Sequence, residues 1–210
     1  HDLDGAIETY DVSHRDEHLA LYAQDPKAVC LVRLPWVELW AGDAGRADQT
    51  VRSALEIAVD LDHLMTLGYV ITYAAIIAAE SEDLPRLAEL LGDAERLLKR
   101  LPMPYLMIVG EALRGWLNVC EGSPEGIEKI VRSVARSRTD GESLHLTYTL
   151  LLLARAHAMA GQWLQGRAAT REPLSWSDRH NQRYLAFVTN GFLVSQLLRV
   201  LHAFDGDLLA

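Results

Sequence analysis

Lysine is almost missing from this chain: Lys27, Lys99 and Lys129 are the only three in 210 residues. The 20 basic residues are outnumbered by 29 acidic ones, giving a formal charge of −9. No run of Lys or Arg forms a basic face, which argues against nucleic-acid binding. The acidity is what solubility requires. Cysteine is also sparse. Cys30 and Cys120 lie far apart among apolar neighbours, as expected of reduced, buried thiols in a cytosolic protein rather than of a disulfide framework. The longest strongly apolar run, Leu144–Ala154, stops well short of a bilayer-spanning length, and no signal peptide is visible. A membrane partner is therefore not expected. Strand signals are poor, because Val and Ile sit at helical spacing rather than in alternation. Signatures of chemistry are lacking as well. There is no G-x-x-x-x-G-K-[ST] phosphate loop, no G-x-S-x-G elbow and no readable Cys-His pairing. Neither a catalytic set nor a cofactor is expected. The chain opens on His1 rather than Met, and 2–10 reads as the remnant of a helix, which suggests a piece of something longer.

What the chain does have is a period. Glycine or a polar break falls at Gly42, Glu82, Gly122 and Gly161, at spacings of 40, 40 and 39 residues. Each break follows a long apolar run and precedes a shorter amphipathic one. Self-similarity at such a period is the mark of a helical solenoid, each repeat being one pair of helices. The expected hairpins cover about 25–62, 64–101, 104–138 and 144–173, with a terminal helix over 183–204, all within one domain of residues 1–210. The second helices carry the clearest stripes. Ala47, Val51, Ala54, Leu55 and Ala58 form one, and Leu87, Leu90, Leu91, Ala94 and Leu98 form another on a 3.6-residue period. Ile127, Ile130, Val131, Val134 and Ala135 form a third, behind a Ser123-Pro124 helix start. Pro102 and Pro104 end the second hairpin, Pro173 stops the fourth, and Ser175–Asn181 reads as a surface loop.

The repeats partly resemble the tetratricopeptide pattern, through Gly42, Ala47 and Ala54-Leu55 in the first repeat and Leu153-Ala154 before Gly161 in the fourth. Pro35 and Ala75 stand where that pattern has Gly, Gly166 where it has Ala, and the period is about six residues longer than its 34. The chain more closely resembles the C-terminal tetratricopeptide-like region of large bacterial ATPase regulators. Its markers are Tyr22, Asp25-Pro26, Leu39-Trp40, Gly42, Ala47, Ala54-Leu55, Ala58 and Asp62-His63. Gly115-Trp116 and Gly126-Ile127 continue the likeness, which spans about 14–184. Those proteins join a helical-repeat tail to a P-loop ATPase and an output domain of the adenylate-cyclase, winged-helix or LuxR type. The resemblance implies an all-α, right-handed solenoid of about four hairpins plus flanking helices. It also implies a non-catalytic interaction or sensory role in a cytoplasmic bacterial signalling ATPase or transcription regulator. The partner would be a protein or peptide, including the ATPase and output domains of the same chain. A homo-oligomeric scaffold is the alternative from another class.

Two residue sets compete for the functional site. Counted back from each break, Trp36 and Trp116 share one position, taken by Ile76 and Arg155 in the other two repeats, and Tyr69 and Tyr148 share another. In a tetratricopeptide-like superhelix these places line the concave groove. A lane of Trp36, Tyr69, Trp116, Tyr148 and Arg155 would suit a peptide, since Trp, Tyr and Arg dominate binding hot spots. Against this stands the possibility that the rings pack between neighbouring hairpins. The second set is His14, Glu17 and His18, which spell H-x-x-E-H. On a helix both imidazoles could share a zinc ion, with Glu17 as general base and Glu80 or Glu82 as further ligand, giving a hydrolase. His157, within an apolar helix, reads as a packed or hydrogen-bonded core residue.

Overall fold

The structure is a computed structural model and describes residues 2–123, 125–139 and 145–171. Every regular element among the described residues is a helix, and none of them forms a strand. The helices are α1 (Asp2–Glu8), α2 (Arg15–Tyr22), α3 (Pro26–Trp40), α4 (Ala44–Asp60), α5 (Leu64–Glu80), α6 (Leu84–Arg100), α7 (Pro104–Cys120), α8 (Glu125–Thr139), α9 (Leu146–Met159) and α10 (Trp163–Ala169). A 3₁₀ turn, Val12–His14, precedes α2. Pro124, the expected 183–204 helix, Pro173 and the 175–181 loop lie outside the described residues. No helix among the described residues is long and apolar enough to cross a membrane.

The four sequence breaks are one turn made four times. Gly42, Glu82, Gly122 and Gly161 all have left-handed backbones, with φ of 84°, 58°, 81° and 71°. After each, the next amide reaches back to a carbonyl five residues earlier: Asp43 to Glu38 at 2.9 Å, Asp83 to Ala78 at 2.9 Å, Ser123 to Asn118 at 2.8 Å and Gln162 to His157 at 2.8 Å. The left-handed residue's own amide bonds three residues back, as Gly42 does to Leu39 at 3.0 Å. This pair of hydrogen bonds is the Schellman closure, which satisfies the last carbonyls of a helix. At the first two sites the following residue also caps the next helix. The Asp43 and Asp83 carboxylates accept from the Arg46 and Arg86 amides at 3.0 and 3.1 Å. One short segment thus ends a helix and begins its neighbour, which turns the chain back on itself.

The chain divides into two compact units, residues 1–117 and 118–210. In the first, α3 packs on α4, α5 packs on α6, and α5 also meets α3 and α4. Covered on three sides, α5 is buried almost all round, from Gly68 through Ala79. Its interior placement explains why its sequence is apolar without a stripe. The neighbours α4 and α6 each bury one face: Ala47, Val51, Ala54 and Ala58 on α4, and Leu87, Leu90, Leu91, Ala94, Leu97 and Leu98 on α6. Gly68 leaves room for its neighbours, since a Cβ there would collide with the Met103 methyl group.

In the second unit α9 packs between α8 and α10. The stripe expected on α8 is rotated. Gly126, Ile130, Ser133, Val134 and Ser137 are buried, whereas Val131 and Ala135 are exposed. The small residues Gly126, Ser133 and Ser137 allow close packing, so the buried face follows size as well as hydrophobicity. The same logic explains Gly166 on α10. A Cβ there would sit 3.0 Å from the Ala154 carbonyl oxygen of α9. Cys30 and Cys120 are both thiols rather than a disulfide, and both are half-buried.

Candidate functional site

The expected aromatic lane is largely interior. Tyr69, Trp116 and Tyr148 are buried, with Trp116 only 4% exposed, while Trp36 and Arg155 are half-buried. The burial of these three has a physical cause: α5 and α9 are covered by their neighbours and bury most of their circumference, and Trp116 lies on the buried face of α7. Trp36, Tyr69 and Trp116 belong to the first unit, and Tyr148 and Arg155 to the second.

The face of α3 is different. Val37 is 57% and Trp40 43% exposed, and the Trp40 ring meets the Trp36 ring edge to face at 5.5 Å and 78°. Val37 and Trp40 thus stand in solvent on a helix that buries Ala28, Val32, Leu34 and Pro35 in the core. Helix α3 keeps its course through Pro35, which is buried.

One turn before Trp36 stands Arg33, which was not among the residues the sequence singled out. Its side chain is exposed, but its head is tied down. Nε donates to the Tyr69 hydroxyl at 2.8 Å, and Nη2 donates to the same hydroxyl and to that of Tyr73 at 3.3 Å. The two tyrosine rings stack at 4.4 Å and 25°, and the guanidinium lies 5.7 Å and 5.2 Å from their centroids. Hydrogen bonds and cation–π attraction together fix a planar cation on an α3–α5 seam. Burial, and then Tyr73, hold the Tyr69 hydroxyl well above the ordinary phenol range, outweighing the opposing pull of Arg33. Tyr69 therefore remains a neutral hydroxyl under the guanidinium. Burial disfavours the Arg33 charge, and the neighbouring tyrosines outweigh that, so its pKa is raised. Among the described residues no carboxylate pairs with Arg33.

A sequence signal for Arg33 exists. It stands nine residues before Gly42, Tyr73 nine before Glu82, Leu113 nine before Gly122, and Leu152 nine before Gly161. Leu113 and Leu152 are fully buried. A charged residue at a place that two other repeats fill with a core leucine marks a local exception.

The H-x-x-E-H residues do not assemble a metal centre. The His14 Nδ1 atom is 3.0 Å from a Glu17 carboxylate oxygen, and the His18 ring packs between Tyr10 and Tyr22 at 5.4 and 6.2 Å. Among the described residues no group of three His, Cys, Asp or Glu side chains is placed to hold a metal ion. Of these residues His18 lines a cleft of about 440 Å³, with Tyr10, Tyr22, Gln24, Val29 and Cys30 around it. Burial raises the Cys30 thiol's pKa, which keeps it protonated and weakly nucleophilic.

Beside this cleft Asp25 is wholly buried. Its carboxylate caps α3 by accepting from the Ala28 amide at 2.9 Å and accepts from the Tyr10 hydroxyl, with Arg15 Nε 3.7 Å away. Its amide donates to Thr66 Oγ1 at 3.0 Å, and Thr66 meets His63 Nδ1 at 2.9 Å. A buried charge so fully engaged ties α2, α3 and α5 together rather than serving as a reactive acid. His157 is likewise engaged, with Nδ1 2.7 Å from Gln162 Oε1.

No protein-family model matches the chain, and no curated protein or solved structure matches it either.

Proposed function

We propose that the chain is a non-catalytic interaction module, a right-handed tetratricopeptide-like solenoid of about four helical hairpins. In this reading it serves as the sensory tail of a cytoplasmic bacterial signalling ATPase or transcription regulator. The support for a repeat array is the identical turn recurring at Gly42, Glu82, Gly122 and Gly161. The support for the tail assignment is the order of sequence markers from Tyr22 to Gly126-Ile127.

The observation that carries an interaction role is the exposed α3 face, where Val37 and Trp40 stand in solvent beside Trp36. A rigid edge-to-face indole pair supplies contact area at small entropic cost, which is what peptide-binding surfaces use. The partner is a peptide segment of another protein or of the ATPase and output domains. Its binding biases the pose of the tail, which requires that it bind one pose better than the other.

Panning a library of random peptides on the protein tests this. Binders should be recovered, and Trp40→Ala should abolish their binding while the thermal midpoint stays nearly unchanged. Recovery of no binders, or of binders indifferent to both Trp40→Ala and Val37→Ser, overturns the reading.

A further inference from the structure

We infer that Arg33 is an anion receptor within the α3 face, reading an Asp or Glu side chain of the bound peptide next to a large apolar residue that covers Val37 and Trp40. This rests on the reading of α3 as the partner-contacting face and adds the chemistry of what is recognised there.

Arg33 combines four properties that a merely structural arginine does not need. It is exposed, in a protein of net charge −9, yet among the described residues no carboxylate pairs with it. Its head is immobilised by the Tyr69 and Tyr73 hydroxyls rather than by an acid. Those bonds use Nε and Nη2, and none of them uses Nη1. A guanidinium carries five donors, so the Nη1 edge remains able to donate to a carboxylate. Finally, its repeat position is filled by the buried leucines Leu113 and Leu152 elsewhere in the chain.

A pair of tyrosine hydroxyls is a good mount for such a receptor. It fixes the plane of the cation without neutralising it, so the charge stays available to an incoming anion. The cost of ordering a long side chain is met on folding rather than on binding. An acid on this chain would have satisfied the guanidinium and closed the site.

The spacing defines the ligand. Val37 is one helical turn and Trp40 two turns from Arg33, so their Cα atoms lie roughly 6 and 10 Å further along the α3 axis. An extended peptide advances about 3.3 Å per residue. The acid and the apolar anchor should therefore stand two or three residues apart in an extended ligand.

The test uses the panned peptides, labelled and measured by fluorescence anisotropy. Wild-type protein should enrich Asp or Glu two or three residues from Trp, Phe, Leu or Ile. Replacing that acid by its amide should weaken binding about tenfold or more, the scale of a charge-assisted hydrogen bond. Arg33→Met should weaken the acidic peptide equally, and the amide peptide should lose nothing further on Arg33→Met. Arg33→Lys keeps the charge without the fork and should recover only part of the loss. Should Arg33→Met fail to fold, the acid enrichment, the acid-to-amide loss on wild type and the Arg33→Lys result still decide. Peptides that need Trp40 but show no acid enrichment, or that lose as much on Arg33→Met when amidated as when acidic, overturn the receptor and leave the α3 face standing. Recovery of no peptides overturns both.

Discussion

Arg33 and Tyr73 hold the same place in consecutive helix pairs, nine residues before a left-handed turn, and meet across α3 and α5 with the guanidinium 3.3 Å from the hydroxyl. Two side chains at one repeat position face each other because the first helices of adjacent pairs pack side by side. Elsewhere that position is a buried leucine, so this seam exchanges an apolar contact for a polar one.

Tyr69 makes the seam sensitive to alkali. Its pKa lies above the unfolded value of 10.0, chiefly through burial. A raised acid gives stability that is full below the unfolded pKa and lost as pH rises beyond it, because the unfolded chain then releases a proton the folded chain retains. Denaturant midpoints should be flat up to about pH 9 and fall above about pH 10. Tyr69→Phe should lower stability near neutral pH by about 1–3 kcal/mol, through the lost bond to Arg33, and make the alkaline decline shallower. Some decline should persist, since burial and then Asp25 raise the pKa of Tyr10 as well. An unchanged alkaline slope in Tyr69→Phe would show that this phenol does not drive it.

The two tryptophans Trp116 and Trp40 should behave oppositely. Trp116 is 4% exposed, so Trp116→Ala should cost about 3–5 kcal/mol, seen as a large drop in melting temperature. Trp40 is 43% exposed, and Trp40→Ala should cost less than about 1 kcal/mol. Thermal melts followed by circular dichroism decide this, and equal losses would place Trp40 in the core.

How far the sequence could be read depends on what each signal reports. The breaks at Gly42, Glu82, Gly122 and Gly161 were visible because left-handed turns favour Gly or a polar residue, and all four are such turns. The α6 stripe was visible because only one face of that helix is buried. Of the lane Trp36, Tyr69, Trp116, Tyr148 and Arg155, the residues Tyr69, Trp116 and Tyr148 are buried, because repeat position says which residues are equivalent, not how many neighbours cover them. Helix α5 is covered on three sides, and Tyr69 goes inward with it. Arg33 was passed over because the count followed aromatic residues. The α8 stripe was rotated because Gly126, Ser133 and Ser137 carry little hydrophobic signal yet sit where helices approach closely.

The α6 stripe provides the plainest test of the core. Leu87, Leu90, Leu91, Ala94 and Leu98 are all buried, Leu91 to 1% exposure. Leu91→Ala removes a side chain that cannot be replaced by solvent, and the cost should be about 2–5 kcal/mol. Equilibrium denaturation measures it. A loss below about 0.5 kcal/mol, the range of surface substitutions, would mean that α6 turns another face inward.

Gly42 at a turn, Gly92 on an open stretch of helix and Gly166 at a helix contact should answer the same substitution differently. Gly42 has φ of 84°, and no atom lies within 4 Å of where a Cβ would stand. Space is therefore not the constraint; backbone handedness is. Gly42→Ala should cost about 1–2 kcal/mol, the penalty of a left-handed L-residue. Gly92 lies inside α6, and a Cβ there would make only an ordinary 3.5 Å contact with Arg96 Nη1. Gly92→Ala should stabilise by about 0.5–1 kcal/mol, because alanine loses less backbone entropy on entering a helix. Gly166 is a third case, with helical backbone but a Cβ position 3.0 Å from the Ala154 carbonyl oxygen, so Gly166→Ala should destabilise by pushing α10 away from α9. Urea titrations of the three variants separate conformation, propensity and packing. A stabilised Gly42→Ala would show that the turn does not need its left-handed residue.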